Sequence, residues 1–342
     1  MKNKNMISEL LKTVNGGVYR ILFLVITVTV AENLNAQSVD VVVRDNGVER
    51  QESIDLPKSM TYPIDSLLND WKAKTYLQLG KDCNTSEENP YFSDSIYVDR
   101  LSRIPSVMEM PYNDVVRKFI DMYASRLREQ VSFMLSASNF YIPIFEEALD
   151  AYNMPLELKY LPVIESALNP SAVSRAGASG LWQFMIGTGK IYGLEVNSLV
   201  DERRDPIKAT WAAARYLKDL YEIYQDWNLV IAAYNCGPGN INKAIRRSGG
   251  KNDYWSIYNL LPKETRGYVP AFIAANYLMT YYCDHNICPM ETDIPANTDT
   301  VQVTKALHFE QIADICGISM EQIKSLNPQY RKNIIPGNIK PY

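Results

Sequence analysis

Residues 155–185 read PLELKYLPVIESALNPSAVSRAGASGLWQFM. One carboxylate, Glu165, stands at the end of an apolar run, with Val163, Ile164, Ala167 and Leu168 around it. A medium poor in dipoles disfavours the ionised form, so the pKa of Glu165 is expected to be raised. A carboxyl that stays protonated near neutral pH can act as a general acid. The small residues that follow (Ser171, Ala172, Ser174, Ala176, Gly177, Ala178, Ser179, Gly180) let backbone approach a ligand closely. Leu181, Trp182, Gln183 and Phe184 then offer aromatic and amide groups to stack on and hydrogen-bond a sugar. A single glutamate in mixed sequence also reads as a solvated or salt-bridged surface residue, and local sequence does not choose between the two.

Working outward, Glu165-Ser166, Asn169-Pro170-x-Ala172, Ser174 and Gly177-Ala178-x-Gly180-Leu181-Trp182-Gln183 resemble the signature of the soluble lytic transglycosylase family. Ala233-Tyr234-Asn235-Cys236-Gly237-Pro238-Gly239 resembles its second motif, and Glu264-Thr265-Arg266-Gly267-Tyr268-Val269 its third. The Trp182-Gln183-Phe184-Met185 version is similar to the membrane-bound murein transglycosylase D branch, and the resemblance spans residues 112–282. It implies a mostly α, lysozyme-like catalytic domain of the α+β superfamily, followed by LysM modules. It also implies cleavage of the β-1,4 bond between N-acetylmuramic acid and N-acetylglucosamine without water and without a cofactor or metal. Glu165 would protonate the leaving glycosidic oxygen and then take the proton of the C6 hydroxyl, closing a 1,6-anhydro ring. The same resemblance places Ser166 and Asn235 near the oxocarbenium-like centre. Gln183, Phe184 and Tyr234 would hold the sugars, and Tyr268 would orient Glu165. Read without the motifs, Phe184, Tyr234 and Tyr268 are packing aromatics, and Ser166 and Asn235 are helix-end hydrogen-bonders.

Two other functions stay open. A water-using muramidase needs a second carboxylate roughly 5 to 9.5 Å from the acid. The candidates are Glu157, Glu195, Asp201, Glu202, Asp205 and Asp226. Glu157 would lie about 12 Å from Glu165 along an unbroken helix, which is too far. Asp201, Glu202 and Asp205 have Arg203 and Arg204 beside them as partners. A non-catalytic scaffold that only binds the wall is the rival from another class.

Composition narrows the partners. The chain has 342 residues and a net charge of −4, and its only dense basic group is Arg246-Arg247, so nucleic acid is not an expected partner. Both histidines, His285 and His308, lie outside residues 155–269, which removes Ser-His-Asp, Cys-His and HExxH chemistry from that stretch. Lys2, Lys4, Lys12 and Arg20 precede an apolar run at 21–30 that is too short to span a bilayer. Residues 1–36 therefore read as a signal peptide cut after Ala36, with an uncleaved membrane anchor as the alternative. Either way the protein is expected to be exported to the periplasm or cell envelope. Among the five cysteines, Cys283 and Cys288 are the nearest neighbours and could close a small loop, although sequence alone does not assign the connectivity. His285 between them does not fit common zinc spacings. Cys236 reads as a small packing residue, having no histidine beside it.

In chain order, residues 37–105 are polar and irregular, a linker with a short amphipathic helix near 64–77. The catalytic domain is expected over 106–288. Val116, Ile120, Tyr123, Leu127, Val131 and Met134 recur at steps of three and four and predict one helix over 113–137. Pro143 starts a second, over 143–152. Pro155 opens a third that carries Glu165, with Pro162 kinking it. Further helices are expected after the Asp205-Pro206 cap and over 227–234, 240–247 and 265–282, with residues 201–205 as a solvated, salt-bridged turn. Past a linker at 289–299, residues 300–342 suggest a βααβ module with a strand at 300–304 and helices at 309–316 and 319–326. Asn327-Pro328 and Ile335-Pro336-Gly337 resemble the end of a LysM module, although Ala306-Leu307-His308 replaces the usual Gly-Asp-Thr and no last strand is evident. Such a module acts as a tether, so its removal should weaken polymer binding and leave turnover of short glycans unchanged. A structural appendage without sugar affinity is the other reading.

Overall fold

The computed structural model describes residues 38–45, 48–62, 78–79, 88–291 and 298–342. The proposed leader and the helix expected near 64–77 lie outside these residues. The first described element departs from the linker reading: β1 (Ser38–Asp45) and β2 (Val48–Asp55) form an antiparallel hairpin. Its alternation is hidden by the polar sequence of β2, but Val41 and Ile54 are both buried. One face thus packs on the helical body as half-buried strands do. A 3-10 turn (Lys58–Thr61) follows, then β3 (Gln78–Leu79) and α1 (Asp94–Arg103).

The helix expected over 113–137 is two helices, α2 (Asp114–Ala124) and α3 (Arg128–Ala151). Asn113 caps α2 by accepting from the Val116 amide at 3.0 Å. Between the helices the Leu127 amide reaches back five residues to Met122 O, at 3.0 Å, which ends the regular ladder. Pro143 does not start a helix but lies inside α3. The hydrogen bond lost there is outweighed by a buried face of Tyr141, Phe145, Ala148 and Leu149. Pro155 likewise opens only a 3-10 turn (Leu156–Tyr160), and Pro162 sits in the first turn of a new helix, α4 (Leu161–Ser166), rather than kinking an old one.

Next come α5 (Ile186–Ile191), α6 (Pro206–Tyr224), α7 (Trp227–Cys236), α8 (Pro238–Arg247), α9 (Tyr254–Ile257) and α10 (Lys263–Tyr281). Asp205 caps α6 through the amides of Ile207 and Lys208, at 3.0 and 2.9 Å, as the sequence suggests. Helix α10 is the spine, buried at every position of 267–279 and packed on α2 and α7. Pro270 is tolerated within it because the Arg266 carbonyl, deprived of its helical donor, accepts from Tyr254 Oη at 2.8 Å. Gly267 lets β2 touch the helix: a Cβ there would lie 2.7 Å from Ile54 Cγ2 and 2.8 Å from Asp55 O. Arg266 fastens the same contact by pairing with Glu52 of β2.

After α10, Cys283 is exposed and free, whereas Cys288 is buried and disulfide-bonded, so of the open pairings the small loop between these two does not form. Cys288 is tucked against α3, where its carbonyl accepts from Ser132 Oγ at 2.5 Å. His285 is buried between Asn89 Oδ1 (2.7 Å) and Tyr277 Oη (3.1 Å), and burial with the nearby arginines pushes its pKa down to about 4. Strand β4 (Met290–Glu291) returns to pair with β3.

The C-terminal module is β5 (Ala306–His308), α11 (Phe309–Cys316), α12 (Met320–Leu326) and β6 (Ile334–Pro336), around a core of Phe309, Ile323 and Ile335. The expected strand at 300–304 is displaced to β5, because Val303 pairs instead with Tyr342 (2.7 and 3.1 Å) and His308 already forms the capping box of α11. A last strand, β6, is present and completes the βααβ order. The module is docked: the Asp201 amide donates to Gln329 O and the Arg331 amide to Leu199 O, both at 2.8 Å. Residues 201–203, expected to be solvated, are salt-bridged but buried beneath it, with Asp201 0 %, Glu202 4 % and Arg203 4 % exposed. Among the described residues no helix is long and apolar enough to cross a membrane.

Candidate active site

Helix α4 is short because its end is bent. Ala167 and Leu168 both adopt left-handed backbone, with φ of 52° and 59°, and both are buried. Their amides close the helix onto Val163 O (3.1 Å) and Pro162 O (3.2 Å), as in the familiar left-handed helix terminus. Consecutive non-glycine residues in this region are costly, on the order of 1 to 3 kcal/mol each, and such outliers concentrate at functional sites. The bend leaves Glu165 in the last turn of α4, at the wall of a cleft of about 370 Å³.

Tyr268 of α10 donates its hydroxyl hydrogen bond to Glu165 Oε1. Burial raises the Glu165 pKa to about 7, with the Tyr268 bond and Lys58 opposing the rise and Glu264 adding to it. Tyr268 and Tyr234 are themselves held protonated by burial, with pKa values well above the ordinary tyrosine range. The site thus holds one acid able to exchange a proton near neutrality and one phenol fixed as a donor.

The opposite wall comes from the small-residue loop. Gly180 has φ +85°, and a Cβ on it would meet Arg203 O at 1.8 Å, so only glycine allows this approach. Gln183, itself left-handed at φ 47°, turns its amide inward, donating to Gly180 O (2.8 Å) and Ala172 O (3.2 Å). Phe184, Tyr216 and Tyr234 form an aromatic group, with Tyr216 and Tyr234 centroids 5.2 Å apart, and Tyr234 donates to Trp182 O at 2.8 Å. Asn235 lines the cleft and accepts from Thr265 Oγ1 at 2.9 Å. Glu165, Gln183, Phe184, Tyr234, Asn235 and Tyr268 therefore all meet in one cleft.

Ser166 does not join them. It is fully buried, and its hydroxyl is spent on Pro162 O (3.1 Å) and Leu181 O (3.0 Å), so it fastens α4 to the loop rather than contacting a ligand. It stands next to Glu165 in sequence but on the core side of α4, outside the cleft lining. Its position one residue after Glu165 rotates it about 100° round the helix, into the core.

Several residues that line the cleft had no role assigned from the sequence, Thr188 and Tyr216 among them. Pro57 and Lys58 arrive from the region read as linker, and Ser59 beside them anchors that turn to α4 by donating to Ile164 O. Glu264 lies at the mouth, 3.9 Å from Lys58, and was visible in the third motif. The carboxylates considered as partners for Glu165 are engaged elsewhere. Glu157 accepts from the Val107 amide (2.6 Å), Asp226 caps α7 through Leu229 (2.7 Å), Glu202 pairs with Lys208 (2.6 Å), and Glu195 pairs with Lys340. Asp201 is bound by Arg203 and Asp205 by its helix cap.

Residues 143–257 match the family described as Transglycosylase SLT domain, and residues 297–342 match that described as Lytic transglycosylase MltD, LysM-like domain. The chain is 33% identical over 224 residues to the membrane-bound lytic murein transglycosylase D of Escherichia coli K12, covering 64% of this chain and 49% of that one. It is 36% identical over 118 residues to a putative tributyltin chloride resistance protein of Alteromonas sp. M-1, covering 34% of this chain and 57% of that one. It is 33% identical over 124 residues to the soluble lytic murein transglycosylase of E. coli K12, covering 34% of this chain and 19% of that one. The chain thus spans about half or less of the length of most of these relatives. The 70 kDa soluble lytic transglycosylase of E. coli, a solved structure, aligns at 29% identity over 42% of this chain and 24% of its own, with a TM-score of 0.36.

Proposed function

We propose that this chain, which carries a transglycosylase SLT domain followed by a LysM-like domain of the MltD type, is a peptidoglycan lytic transglycosylase acting in the cell envelope. The observation that carries the proposal is a single glutamate that titrates near pH 7, is held by a buried phenol, and faces an aromatic-lined cleft. The substrate class is the glycan strand of peptidoglycan, the reaction is non-hydrolytic cleavage, and the compartment is the periplasmic side of the envelope.

In this reading Glu165 gives its proton to the glycosidic oxygen as the C1–O bond breaks, and the sugar passes through an oxocarbenium-like state. The C6 oxygen of the same muramic acid then bonds to C1, and its proton returns to the Glu165 carboxylate. Every atom stays on the two products, and the enzyme ends as it began. Holding the C6 hydroxyl within the substrate replaces an external nucleophile at an advantage of several kcal/mol. Tyr268 keeps the carboxyl in place through both transfers. Gln183, Phe184, Tyr234 and Asn235 form the wall against which the sugar rings lie. The catalytic unit takes in residues 106–288 and also the N-terminal hairpin and turn, since Pro57 and Lys58 complete the cleft.

A water-using muramidase is the second reading, favoured by Glu264 at the cleft mouth. Its pairing with Lys58 supports a role in the field around Glu165 rather than as nucleophile. The test of the proposal is Glu165→Gln on purified sacculi: the amide keeps the shape but neither gives nor takes the proton, so binding should persist and clearing should fall at least about a thousandfold. Near wild-type clearing by this variant rules the assignment out, and binding without clearing by the wild-type chain favours a scaffold.

A further inference from the structure

The C-terminal module is joined to the cleft through a buried aspartate, which the partly exposed Arg331 of the module reaches. Asp201 is fully buried and accepts from Arg203 Nε and Nη2, both at 2.8 Å, and from Arg331 Nη2 of the module at 2.9 Å. Arg203, 4 % exposed, spends its remaining nitrogen on the cleft loop: Nη1 donates to Gly177 O at 2.8 Å and to Phe184 O at 2.9 Å. Phe184 O also accepts from the Ser179 amide at 3.1 Å, so Arg203 grips the loop at both ends. The glycine at 180 rests on the Arg203 carbonyl, and Gly189 of α5 would touch its side chain if it carried a Cβ (3.3 Å). A guanidinium so enclosed is held in one orientation only while the charge opposite it stays fixed.

We propose that Arg331 is a positioning residue for the active site, acting through Asp201 and Arg203 on the loop 177–184 that forms the sugar-binding wall. The module is then part of the catalytic framework as well as a wall-binding unit. The backbone contacts of residues 199–201 with 329–331 set the register, and Arg331 supplies the second cation that an aspartate with no solvent access requires. Two further contacts at the seam, Lys340 with Glu195 and Lys208 over the Tyr342 ring at 5.5 Å, are more exposed and contribute less. Asp201 titrates below the ordinary aspartate range: burial opposes this, and the Arg203 and Arg331 charges overcome it, so the carboxylate remains charged at neutral pH.

The inference on activity rests on the function proposed above, but the coupling does not, and the experiment separates them. Hydrogen–deuterium exchange on the full chain, without glycan, compares wild type with Arg331→Ala and Arg331→Lys. Arg331→Ala should raise exchange in residues 177–186 by about tenfold, with α10 unchanged, and Arg331→Lys should recover part of the protection. In parallel, KM for a soluble alternating tetrasaccharide of N-acetylglucosamine and N-acetylmuramic acid should rise about three- to tenfold for Arg331→Ala, with kcat within about twofold. Unchanged exchange at 177–186 overturns the proposal, as does a uniform rise across α10, which would mean global destabilisation. If exchange responds but the wild-type chain turns over no glycan, the coupling stands and the functional reading fails.

Discussion

Glu165 makes a testable trade between function and stability. In the unfolded chain it ionises near 4.5, and in the folded chain near 7. Between those values the native state binds more protons than the unfolded state, so this group's contribution to stability falls as pH rises. Glu165→Gln removes that term: its stability, read by thermal melting, should match wild type near pH 4 and exceed it at pH 7.5, by up to on the order of 3 kcal/mol. An equal offset at both pH values contradicts the assigned titration. The same pKa predicts that kcat/KM declines above about pH 7, and that Tyr268→Phe, which loses the bond favouring the carboxylate, moves this limb upward. Glu264→Gln separates the two enzyme readings. It should keep turnover within about tenfold, since it touches the field and not the proton path, whereas loss comparable to Glu165→Gln would make it a second catalytic carboxylate. Much of this site was legible in the sequence, because Val163, Ile164, Ala167 and Leu168 announced an apolar setting and the spaced motifs named the wall. That Ser166 faces the core was not legible, because a motif fixes which residues recur and not which way a helix turns them. Lys58 could not be found at all, because its contact with Glu264 joins residues about 200 positions apart in sequence, and no local pattern records that.

The errors at the level of elements came from prolines and from one hairpin. Pro143 and Pro162 read as a helix start and a kink, and the packing reversed the two roles. Proline costs a hydrogen bond inside a helix but none in its first turn, and buried apolar faces decide whether an interior one is survived. At Pro270 the loss is repaired by Tyr254, a partner sixteen residues earlier that periodicity does not reveal. The hairpin was hidden because β2, VERQESID, buries essentially one residue, Ile54, against α10. That contact depends on Gly267. Gly267→Ala should force Ile54 and the Asp55 carbonyl outward and cost about 1 to 3 kcal/mol. The melting temperature reads it, and an unaltered value would mean that the hairpin does not rest on α10. Because the chain runs from β2 directly to Pro57 and Lys58, the same variant should weaken glycan binding more than it slows the chemical step.

At the scale of the whole molecule, the helical class and several of the helices, such as those after the Asp205 cap and near 227–234, 240–247 and 265–282, were readable from periodicity, caps and motifs. How the catalytic domain and the module meet was not. The run 201–205 has the composition of a solvated turn, and residues 201–203 are buried between the cleft loop, gripped by Arg203, and residues 329–331, which pair with 199–201. A tether predicts that removing residues 298–342 leaves turnover of short glycans unchanged. The docked module predicts instead a lower melting temperature and a raised KM on the same short substrates, since deletion exposes Asp201 and takes away Arg331. Thermal melts and tetrasaccharide kinetics on the shortened chain decide this, and unchanged values for both would restore the tether.

The central claim is that one carboxyl performs both proton transfers with no water consumed. Mass spectrometry of muropeptides released from purified peptidoglycan tests it most directly. Products should end in 1,6-anhydro-N-acetylmuramic acid, one water lighter than hydrolysis products and resistant to borohydride. A majority of borohydride-reducible muramic acid ends would contradict it and identify the chain as a hydrolase.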